Sequence, residues 1–334
     1  GVRCAGMGQH HRWRAGGGGG CAGARGRRTS ARWSASSGLS EQGLAFGLAP
    51  PIKYIMKPQY QISFSGGRTS AYMTKLLLDN WSDRYDFIVT FANTGLEHPK
   101  TLEFVRNCDT HFGFNTVWLE AVVHDGRVAS THKIVDYASA ARKGEPFEEV
   151  IQKYGIPNTA FPYCTRELKI NPMNSYLRSL GLDYRSIPTA IGIREDEKRR
   201  VSKTAESKNI EYPLIDIWPT DKAEILDWWA EQAFDLGIDE FEGNCQGCYK
   251  KSFKKHFMQI DRDASVYDFH RRMEAQYRSH GPQVGDRVFF RKNLDTDALF
   301  KLYEENKATP MRQARADEDG GCSESCEVYE TVIE

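Results

Sequence analysis

The segment Tyr-Gln-Ile-Ser-Phe-Ser-Gly-Gly-Arg-Thr-Ser at residues 60–70 combines a short strand, a glycine turn and the start of a helix. Ile62 and Phe64 alternate with polar neighbours, as the side-chain period of a strand requires. The two glycines that follow permit a tight turn, because glycine accepts positive φ angles. We expect Thr69 or Ser70 to cap a helix whose apolar side chains fall on one stripe.

The glycine turn is a candidate phosphate-binding loop. Such a turn leaves several backbone N–H groups at the amino end of a helix, where the helix dipole favours an anion. An ordinary strand–turn–helix connection would contain the same Ser-Gly-Gly, so the local chemistry leaves both interpretations open. The loop is not a Walker loop, because the Gly-Lys-Ser/Thr ending is missing. The candidate anion-binding residues are Ser65, Gly66, Gly67, Arg68, Thr69 and Ser70.

The composition argues against two broad classes of protein. The 334 residues carry 45 basic and 45 acidic side chains, so no whole-chain field attracts the protein to nucleic acid or to a membrane surface. No run of about 18 apolar residues is present, which argues against a membrane span. Eight cysteines at irregular spacing are not typical of a secreted disulfide framework. We therefore expect a cytoplasmic protein with metal or redox roles for some cysteines.

Residues 1–55 differ in composition from everything that follows. They are rich in glycine, arginine and serine and have almost no periodic apolar signal, so they cannot bury enough surface to offset their ordering entropy. Met56 directly precedes the first strand like a natural start, which favours a translated upstream region or an expression leader. An organelle transit peptide is the alternative.

From Met56 onward, predicted strands alternate with predicted helices. Residues 86–92 form an apolar run that is typical of a buried parallel strand, and Pro99 can open the helix after it. Residues 116–119 and 187–193 are further strands. This alternation predicts an α/β fold with a doubly wound, mostly parallel sheet, right-handed crossovers and ligands at the carboxyl ends of the strands.

The sequence after the leader divides into three predicted segments. The α/β domain spans residues 56–220, with residues 124–160 as an insertion that wraps the sheet and residues 211–220 as the stretch that closes it. A helical region follows over residues 221–305. Residues 306–334 are acidic and rich in glycine, and we expect a mobile tail there.

Two features of the helical region are informative. Asp221 and Glu224 have the spacing of a capping box, which predicts a helix start. The lysines at positions 250, 251, 254 and 255 form a local basic patch. This patch is either a solvated face or a contact site for tRNA or DNA phosphates.

The segment Asn-Cys-Gln-Gly-Cys at residues 244–248 is the second strong signal. Cys245 and Cys248 can present two thiolates to one ion or cluster, and Gly247 permits the tight turn between them. An iron–sulfur cluster, a zinc ion and a redox disulfide are all compatible with this pair. Cys108 lies inside a predicted helix, and we expect it to be buried and inert.

Four motifs in order resemble those of the phosphoadenosine phosphosulfate (PAPS) reductase family and, more widely, of the adenine-nucleotide α-hydrolase (PP-loop) superfamily. They are Ser-Gly-Gly-x-x-Ser at 65–70, Phe-Ala-Asn-Thr-Gly-Leu-Glu-His-Pro at 91–99, the Tyr-Cys-Thr-Arg segment at 163–166 and Gly-Ile-Arg-x-Asp-Glu-x-x-Arg at 192–200. The resemblance covers roughly residues 58–250 and is strongest to phage- and prophage-encoded members. Thr69 replaces the aspartate that is usual in the first motif.

The resemblance implies an adenine-nucleotide site that binds ATP or PAPS. In the family, the strand end before the second motif's glycine contacts adenine through its backbone, and basic residues hold phosphate or sulfate. Glu195, Asp196 and Glu197 could hold Mg²⁺ beside a pyrophosphate, although acidic residues at a helix start would look the same. Besides the six loop residues, the implied nucleotide-binding residues are Asn93, Thr94, Arg166, Lys169, Gly192, Arg194 and Arg199.

The resemblance also implies a set of metal ligands and a set of catalytic residues. Cys164, Cys245 and Cys248 correspond to three cluster ligands of sulfonucleotide reductases, which implies a [4Fe–4S] cluster with one open position, with Zn²⁺ as the alternative. His256 or a cysteine of the tail could complete the set. Cys322 and Cys326 loosely match the tail in which family members carry a nucleophilic cysteine. Together with Arg194 they are the implied catalytic residues.

Three functions follow from the resemblance. The first is ATP-dependent adenylation followed by sulfur transfer, and the second is sulfonucleotide reduction that releases sulfite from PAPS or APS. The third is a non-catalytic regulator that senses nucleotide or cluster. The implied partners are an adenine nucleotide, a nucleic-acid or small-molecule sulfur acceptor, and a sulfur- or electron-donor protein. We also expect a homo-oligomer that does not bind membranes.

Overall fold

The computed structural model describes residues 57–281 and 285–308. The predicted leader at residues 1–55 lies outside the described residues. The same is true of the tail after residue 308, which contains both Cys322 and Cys326.

A six-stranded sheet forms the centre of the described structure, in the order β4-β3-β2-β1-β5-β6. Its strands are Gln59–Ser63 (β1), Asp86–Ala92 (β2), Val117–Val122 (β3), Thr131–Val135 (β4), Thr189–Ile191 (β5) and Ile210–Glu211 (β6). Strand β4 runs antiparallel to β3, and all other neighbouring pairs are parallel. In the register of the central strands, Ile62 lies opposite Val89 on one side and Ala190 on the other. The predicted doubly wound, mostly parallel sheet is confirmed.

Helices connect the strands and continue beyond them. The five helices of the α/β part are Arg68–Trp81 (α1), Pro99–Phe112 (α2), Glu145–Tyr154 (α3), Asn171–Ser179 (α4) and Pro213–Asp216 (α5). The four that follow are Lys222–Ala230 (α6), Phe253–Arg262 (α7), Asp268–Tyr277 (α8) and Thr296–Ala308 (α9). The predicted helical region after residue 221 is therefore confirmed, and α2 begins at the expected proline.

The largest apolar core joins β1 and β2 to α1, α2 and α6. Phe64 and Leu77 are fully buried in it, as is Trp229 of α6. Asp221 and Glu224 form both halves of the predicted capping box at the start of α6. A second core packs α7, α8 and α9 against α3 and the end of β3. Between them, these cores hold the helical region against the edge of the sheet where the strands end.

The structure corrects three local expectations. Helix α1 begins at Arg68 with Gly67 as its N-cap and receives no side-chain cap, so neither Thr69 nor Ser70 caps it. Residues 211–220 contribute only Glu211 to the sheet, because Pro213 starts the short helix α5. The stretch 124–160 contains the antiparallel edge strand β4, which has an exposed Ile134 instead of a clean inside–outside pattern.

Two other sequence expectations concern single features. Burial raises the pKa of the Cys108 thiol, and its side chain is completely inaccessible, which confirms that this cysteine is a core residue. No helix within residues 57–281 and 285–308 is both long enough and apolar enough to span a membrane.

Glu120 on β3 offers a test of how the sheet holds the loop after β2. Its inaccessible carboxylate accepts hydrogen bonds from Asn93 Nδ2 at 2.7 Å and from the Ala141 N–H at 2.6 Å, and it lies 3.0 Å from Lys133 Nζ. Glu120→Ala removes the acceptor of one Asn93 amide hydrogen and of the partly buried Ala141 N–H, so we expect a loss of roughly 2–4 kcal/mol in the free energy of unfolding. Denaturant titration followed by circular dichroism measures this loss.

The matched control for that experiment is Glu103→Ala, which removes an exposed carboxylate of α2 whose ion pair with Arg106 spans 3.6 Å. Exposed pairs contribute little, so we expect a change below about 0.5 kcal/mol. Equal effects of the two substitutions would show that Glu120 does not anchor the loop.

Candidate nucleotide loop and thiol pocket

The glycine turn between β1 and α1 is tightly packed. Gly66 has φ +81°, and a Cβ placed on it would lie 2.8 Å from Thr101 Cγ2 and 3.1 Å from the ring of Phe91. Both the conformation and the contact require glycine here. Gly67 and the first residues of α1 are buried, and the amino end of the helix has no side-chain cap. A buried, uncapped helix start is a place where an anion can be bound.

Two serines close this loop on itself. The Ser65 and Ser70 hydroxyl oxygens are 2.7 Å apart, and the Ser70 hydroxyl also donates to the Gly67 carbonyl at 3.1 Å. Gly192 at the end of β5 packs directly behind this pair, since a Cβ there would lie 2.8 Å from Ser70 Cα. The predicted loop residues are therefore brought together, in a closed arrangement.

The positive charges expected at the loop are each paired with carboxylates. Arg68 makes a two-point ion pair with Asp235, with both N–O distances 2.6 Å. Arg194 donates to Asp196 through two nitrogens, at 2.9 and 3.1 Å, and its third nitrogen donates to the Thr69 hydroxyl at 3.2 Å. Thr69, which replaces the usual aspartate of the motif, thus connects the loop to Arg194.

The acidic run after β5 forms a short 3₁₀ helix, Glu195–Arg200, rather than an open cluster. Glu197 pairs with Arg200 at 2.7 Å and lies 3.4 Å from Arg194. Arg199 is exposed, whereas Arg200 is buried. The residues proposed for Mg²⁺ therefore contact basic side chains of their own segment.

A small cleft opens beside the start of α1, and its volume is about 290 Å³ including the solvent at its mouth. It brings together three predicted nucleotide-binding residues with residues of α6 and of the loop that follows it. Its lining consists of Arg68, Thr69, Arg194, Lys222, Ile225, Leu226 and Glu240.

Hydrogen bonds from its own side chains fix the loop after β2. The Asn93 side chain points into the fold, where it donates to Glu120 and to the Ala141 carbonyl. Thr94 donates to the Glu97 carboxylate through both its N–H (2.9 Å) and its hydroxyl (2.6 Å). Burial raises the pKa of Glu97, and the nearby Lys169 charge opposes that rise.

A second pocket, which we call the thiol pocket, brings the three predicted metal-ligating cysteines together. Its volume is about 480 Å³, including the solvent at its mouth. The Cys164 thiol lies 3.3 Å from the Tyr249 hydroxyl, and Cys164, Cys245 and Cys248 form no disulfide among the described residues. The twelve lining residues are Thr94, Phe147, Cys164, Thr165, Lys169, Cys245, Gln246, Cys248, Tyr249, Lys250, His270 and Phe289.

The two predicted basic residues beside Cys164 differ in position. Lys169 lines the thiol pocket. Arg166 is half exposed, pairs with Glu167 at 2.8 Å and lies over the rings of Tyr154 and Tyr163. The structure therefore places Lys169, but not Arg166, in the wall of the pocket.

The lysines of the predicted basic patch do not all face solvent. Lys251 is buried, with 1 % of its surface exposed, and donates to Gln259 Oε1 at 3.0 Å. It is not part of a solvated face, because its long side chain fixes the segment after the Cys-x-x-Cys turn to α7.

Asn244 joins the nucleotide loop to the thiol pocket, and it was not among the residues singled out from the sequence. Its side-chain amide donates to the Ser65 carbonyl at 2.8 Å, and its side-chain oxygen accepts from Thr101 at 3.3 Å. Its own carbonyl accepts from the His98 N–H at 2.6 Å. The chain then continues into Cys245, which pairs with Glu97 in a short antiparallel bridge.

The arrangement of the thiol pocket does not fit a single metal ion. Across residues 57–281 and 285–308, no three histidine, cysteine, aspartate or glutamate side chains are close enough to hold one metal ion. A tetrahedral zinc site at 2.3 Å per Zn–S bond needs sulfurs about 3.8 Å apart. A four-iron cluster separates its ligands further than this.

Comparisons with known proteins agree with this arrangement of motifs. Residues 59–232 match the phosphoadenosine phosphosulfate reductase domain family. The chain belongs to this family. One curated relative of this PAPS reductase family protein is an uncharacterized nin region protein of Escherichia phage lambda. The two are 31 % identical, and the match covers 80 % of the chain and 94 % of the relative. The predicted likeness to phage members is confirmed.

More distant matches are partial. One uncharacterized protein of Methanocaldococcus jannaschii is 32 % identical over 50 % of the chain, and the match spans only 32 % of that relative. A second uncharacterized protein of the same organism is 26 % identical over 46 % of the chain, and the match spans 27 % of it. The solved structure of a PAPS reductase from Candida auris, a phosphate complex, covers 53 % of the chain and 73 % of that protein at 17 % identity, with a TM-score of 0.34.

The Asn244 contacts make a prediction about stability. Asn244→Asp keeps the side-chain size but replaces the donor to Ser65 with an oxygen, so a buried carbonyl faces a carboxylate. We expect the free energy of unfolding to fall by about 1–3 kcal/mol. Asn80→Ala, which removes an exposed amide that bonds within α1, is the control and should cost less than about 0.5 kcal/mol. Indistinguishable denaturation curves for the two variants would exclude a bridging role.

Proposed function

We propose that this PAPS reductase family protein is an adenine-nucleotide enzyme that transfers sulfur, with ATP-dependent adenylation as its first step. The observation that carries the proposal is the Asn244 bridge. It connects a buried, uncapped helix start, where a polyphosphate can bind, to the wall of a pocket that three cysteine side chains line. A site that binds nucleotide and delivers sulfur needs both parts side by side.

In this proposal, the amino end of α1 and Arg194 hold the polyphosphate of ATP. An oxygen of the acceptor attacks the α-phosphorus, the bond to the bridging oxygen breaks, and pyrophosphate leaves. The acceptor carbon then carries AMP as a leaving group. Arg68 and Arg194 are already oriented by carboxylates, so they stabilise the transition state without reorganising.

The second step takes place towards the thiol pocket. A hydrosulfide-level sulfur attacks the activated carbon, the carbon–oxygen bond breaks, and AMP leaves with the electron pair. Lys169 in the pocket wall adds positive charge near the incoming anion. An iron–sulfur cluster held by Cys164, Cys245 and Cys248 would supply an iron to which the transferred sulfur binds.

Sulfonucleotide reduction is the second candidate, and the family match favours it. In that reaction a thiolate attacks the sulfur of PAPS or APS, the nucleotide leaves, and a second thiol releases sulfite by forming a disulfide. A donor protein must then reduce that disulfide. Cys322 and Cys326, the proposed tail nucleophiles, lie outside the described residues.

Product analysis separates these functions. The protein is purified without oxygen and incubated with ATP or with PAPS, and pyrophosphate and sulfite are quantified. We expect pyrophosphate from ATP together with an added acceptor fraction of tRNA or small molecules, and no sulfite from PAPS. Sulfite release would favour the reductase, and nucleotide binding without either product would favour a regulator.

Arg194→Gln tests the loop's part in this function. We expect ATP affinity to fall at least tenfold, because a charged donor to the loop is lost, and equilibrium binding of a fluorescent ATP analogue measures it. Arg185→Gln removes an exposed arginine elsewhere and should leave affinity unchanged. A thermal melt of each variant verifies folding. Unchanged affinity of folded Arg194→Gln would remove Arg194 from the site.

A further inference from the structure

Three aromatic rings lie beside the thiol pocket, and the chemistry proposed above does not use them. Tyr154 ends α3, and Phe161 and Tyr163 come shortly before Cys164 in the chain. The rings of Tyr154 and Tyr163 are 5.6 Å apart with their planes at 29°, and those of Phe161 and Tyr163 are 6.1 Å apart at 16°. All three side chains are partly exposed. We call this row of nearly parallel rings the aromatic ladder.

The apolar cores account for only part of the ladder. Tyr154 and Tyr163 pack against the second core. Phe161 belongs to none of the three apolar clusters formed by the described residues. A ring that is partly exposed and outside the core gains little from burial, but it can stack on another planar group. The ladder therefore has the surface chemistry of a site for planar ligands.

The exposed arginine of this region lies over the ladder. The guanidinium carbon of Arg166 is 5.5 Å from the ring centroid of Tyr163 and 5.9 Å from that of Tyr154. Its Nε pairs with Glu167, and 53 % of its side chain is exposed. A guanidinium held in this way offers a flat face for a nucleobase and a positive charge for a phosphate.

A second arginine lies over the other end of the ladder. The guanidinium carbon of Arg287 is 4.5 Å from the ring centroid of Phe161. Only 5 % of Arg287 is exposed, and its Nη1 donates to the Tyr154 carbonyl at 2.8 Å. Its Nη2 is buried and has no hydrogen-bond partner within the described part of the chain. A guanidinium with an unfilled donor favours an oxygen-rich anionic ligand at this end of the ladder.

Positive charge continues on the far side of the thiol pocket. Tyr163 immediately precedes Cys164, which lines the pocket together with Lys169 and Lys250. Beyond Lys250, the exposed Lys254 lies in the first turn of α7. The thiol pocket is thus flanked by stacked rings with arginines on one side and by lysines on the other. Rings for bases and cations for phosphates are the two components of a single-strand binding surface.

We propose that the aromatic ladder binds the unpaired bases of a single-stranded RNA segment, whose backbone continues past Lys250. The inference rests on the proposed function and names the class of its sulfur acceptor. One unpaired base enters the thiol pocket, and its carbonyl oxygen is the oxygen that attacks the α-phosphorus. That oxygen leaves on AMP, and the incoming sulfur takes its place on the base carbon. RNA loops present such unpaired bases, whereas the bases of duplex DNA are already stacked and paired.

Fluorescence anisotropy with the full chain and a labelled RNA of about ten nucleotides measures this binding without ATP. We expect single-stranded RNA to bind more tightly than duplex RNA of the same sequence. Phe161→Ala should weaken binding at least fivefold, because a stacking ring is lost. The matched control is Tyr184→Ala, which removes a partly exposed ring that lies 5.5 Å from Arg178 and from Arg185 elsewhere on the surface.

Thermal melts verify that both variants fold. Equal RNA affinity of folded Phe161→Ala and wild type would overturn the proposal, as would tighter binding of duplex RNA. Tighter binding of single-stranded DNA would overturn the choice of RNA.

Photocrosslinking locates the bound strand independently of affinity. RNA that carries 5-iodouridine is irradiated on the wild-type chain, and the crosslinked peptides are mapped by mass spectrometry. We expect crosslinks within residues 154–163, and crosslinks found only elsewhere would contradict the proposal. If RNA binds at the ladder but ATP yields no pyrophosphate, this inference stands and the proposed function fails. If pyrophosphate forms with another acceptor and no RNA binds, this inference fails alone.

Discussion

The hydrogen bond from the Asn244 side chain to the Ser65 carbonyl is the contact on which the arrangement of the site depends. The Asn244 side chain is buried, so leaving it unpaired is costly, and the bond joins segments that are far apart in the sequence. On one side lies the turn that begins α1. On the other side the chain passes directly into Cys245 and the thiol pocket. The Asn244 carbonyl adds a bond to the loop after β2, so the loops that follow β1 and β2 and the segment before Cys245 are held together.

The two arginines beside the nucleotide loop are each paired with a carboxylate. Arg68 is oriented by Asp235, and Arg194 by Asp196, so each guanidinium is fixed before any ligand arrives. Fixed dipoles and charges stabilise a developing charge without a reorganisation cost, which is how phosphoryl-transfer sites function. The same pairing keeps the region close to neutral, in agreement with a chain whose basic and acidic residues balance.

Much of the fold and the identity of the main loops could be predicted from the sequence, because both depend on local chemistry. The Gly-Gly turn, the proline that opens α2 and the capping box at Asp221 are specified by neighbouring residues. Strand β4 could not be recognised, since it lies at the edge of the sheet and exposes Ile134. The bridging contacts of Asn244 are tertiary, and a single asparagine has no spacing that reveals such contacts. Lys251 shows the opposite error, since a lysine in a basic run proved to be buried.

In the function proposed above, the nucleotide loop and the thiol pocket act as one site. Iodoacetamide alkylation of the cluster-free chain tests whether the two parts are coupled. Mass spectrometry measures the alkylation rate of each cysteine with and without saturating non-hydrolysable ATP. We expect nucleotide to slow alkylation of Cys245 several-fold, because a ligand bound at the loop covers the segment that Asn244 ties to Ser65. Cys108, which is inaccessible, serves as the internal reference. If nucleotide is demonstrably bound but the alkylation rates of Cys164, Cys245 and Cys248 do not change, the loop and the pocket do not act as one site.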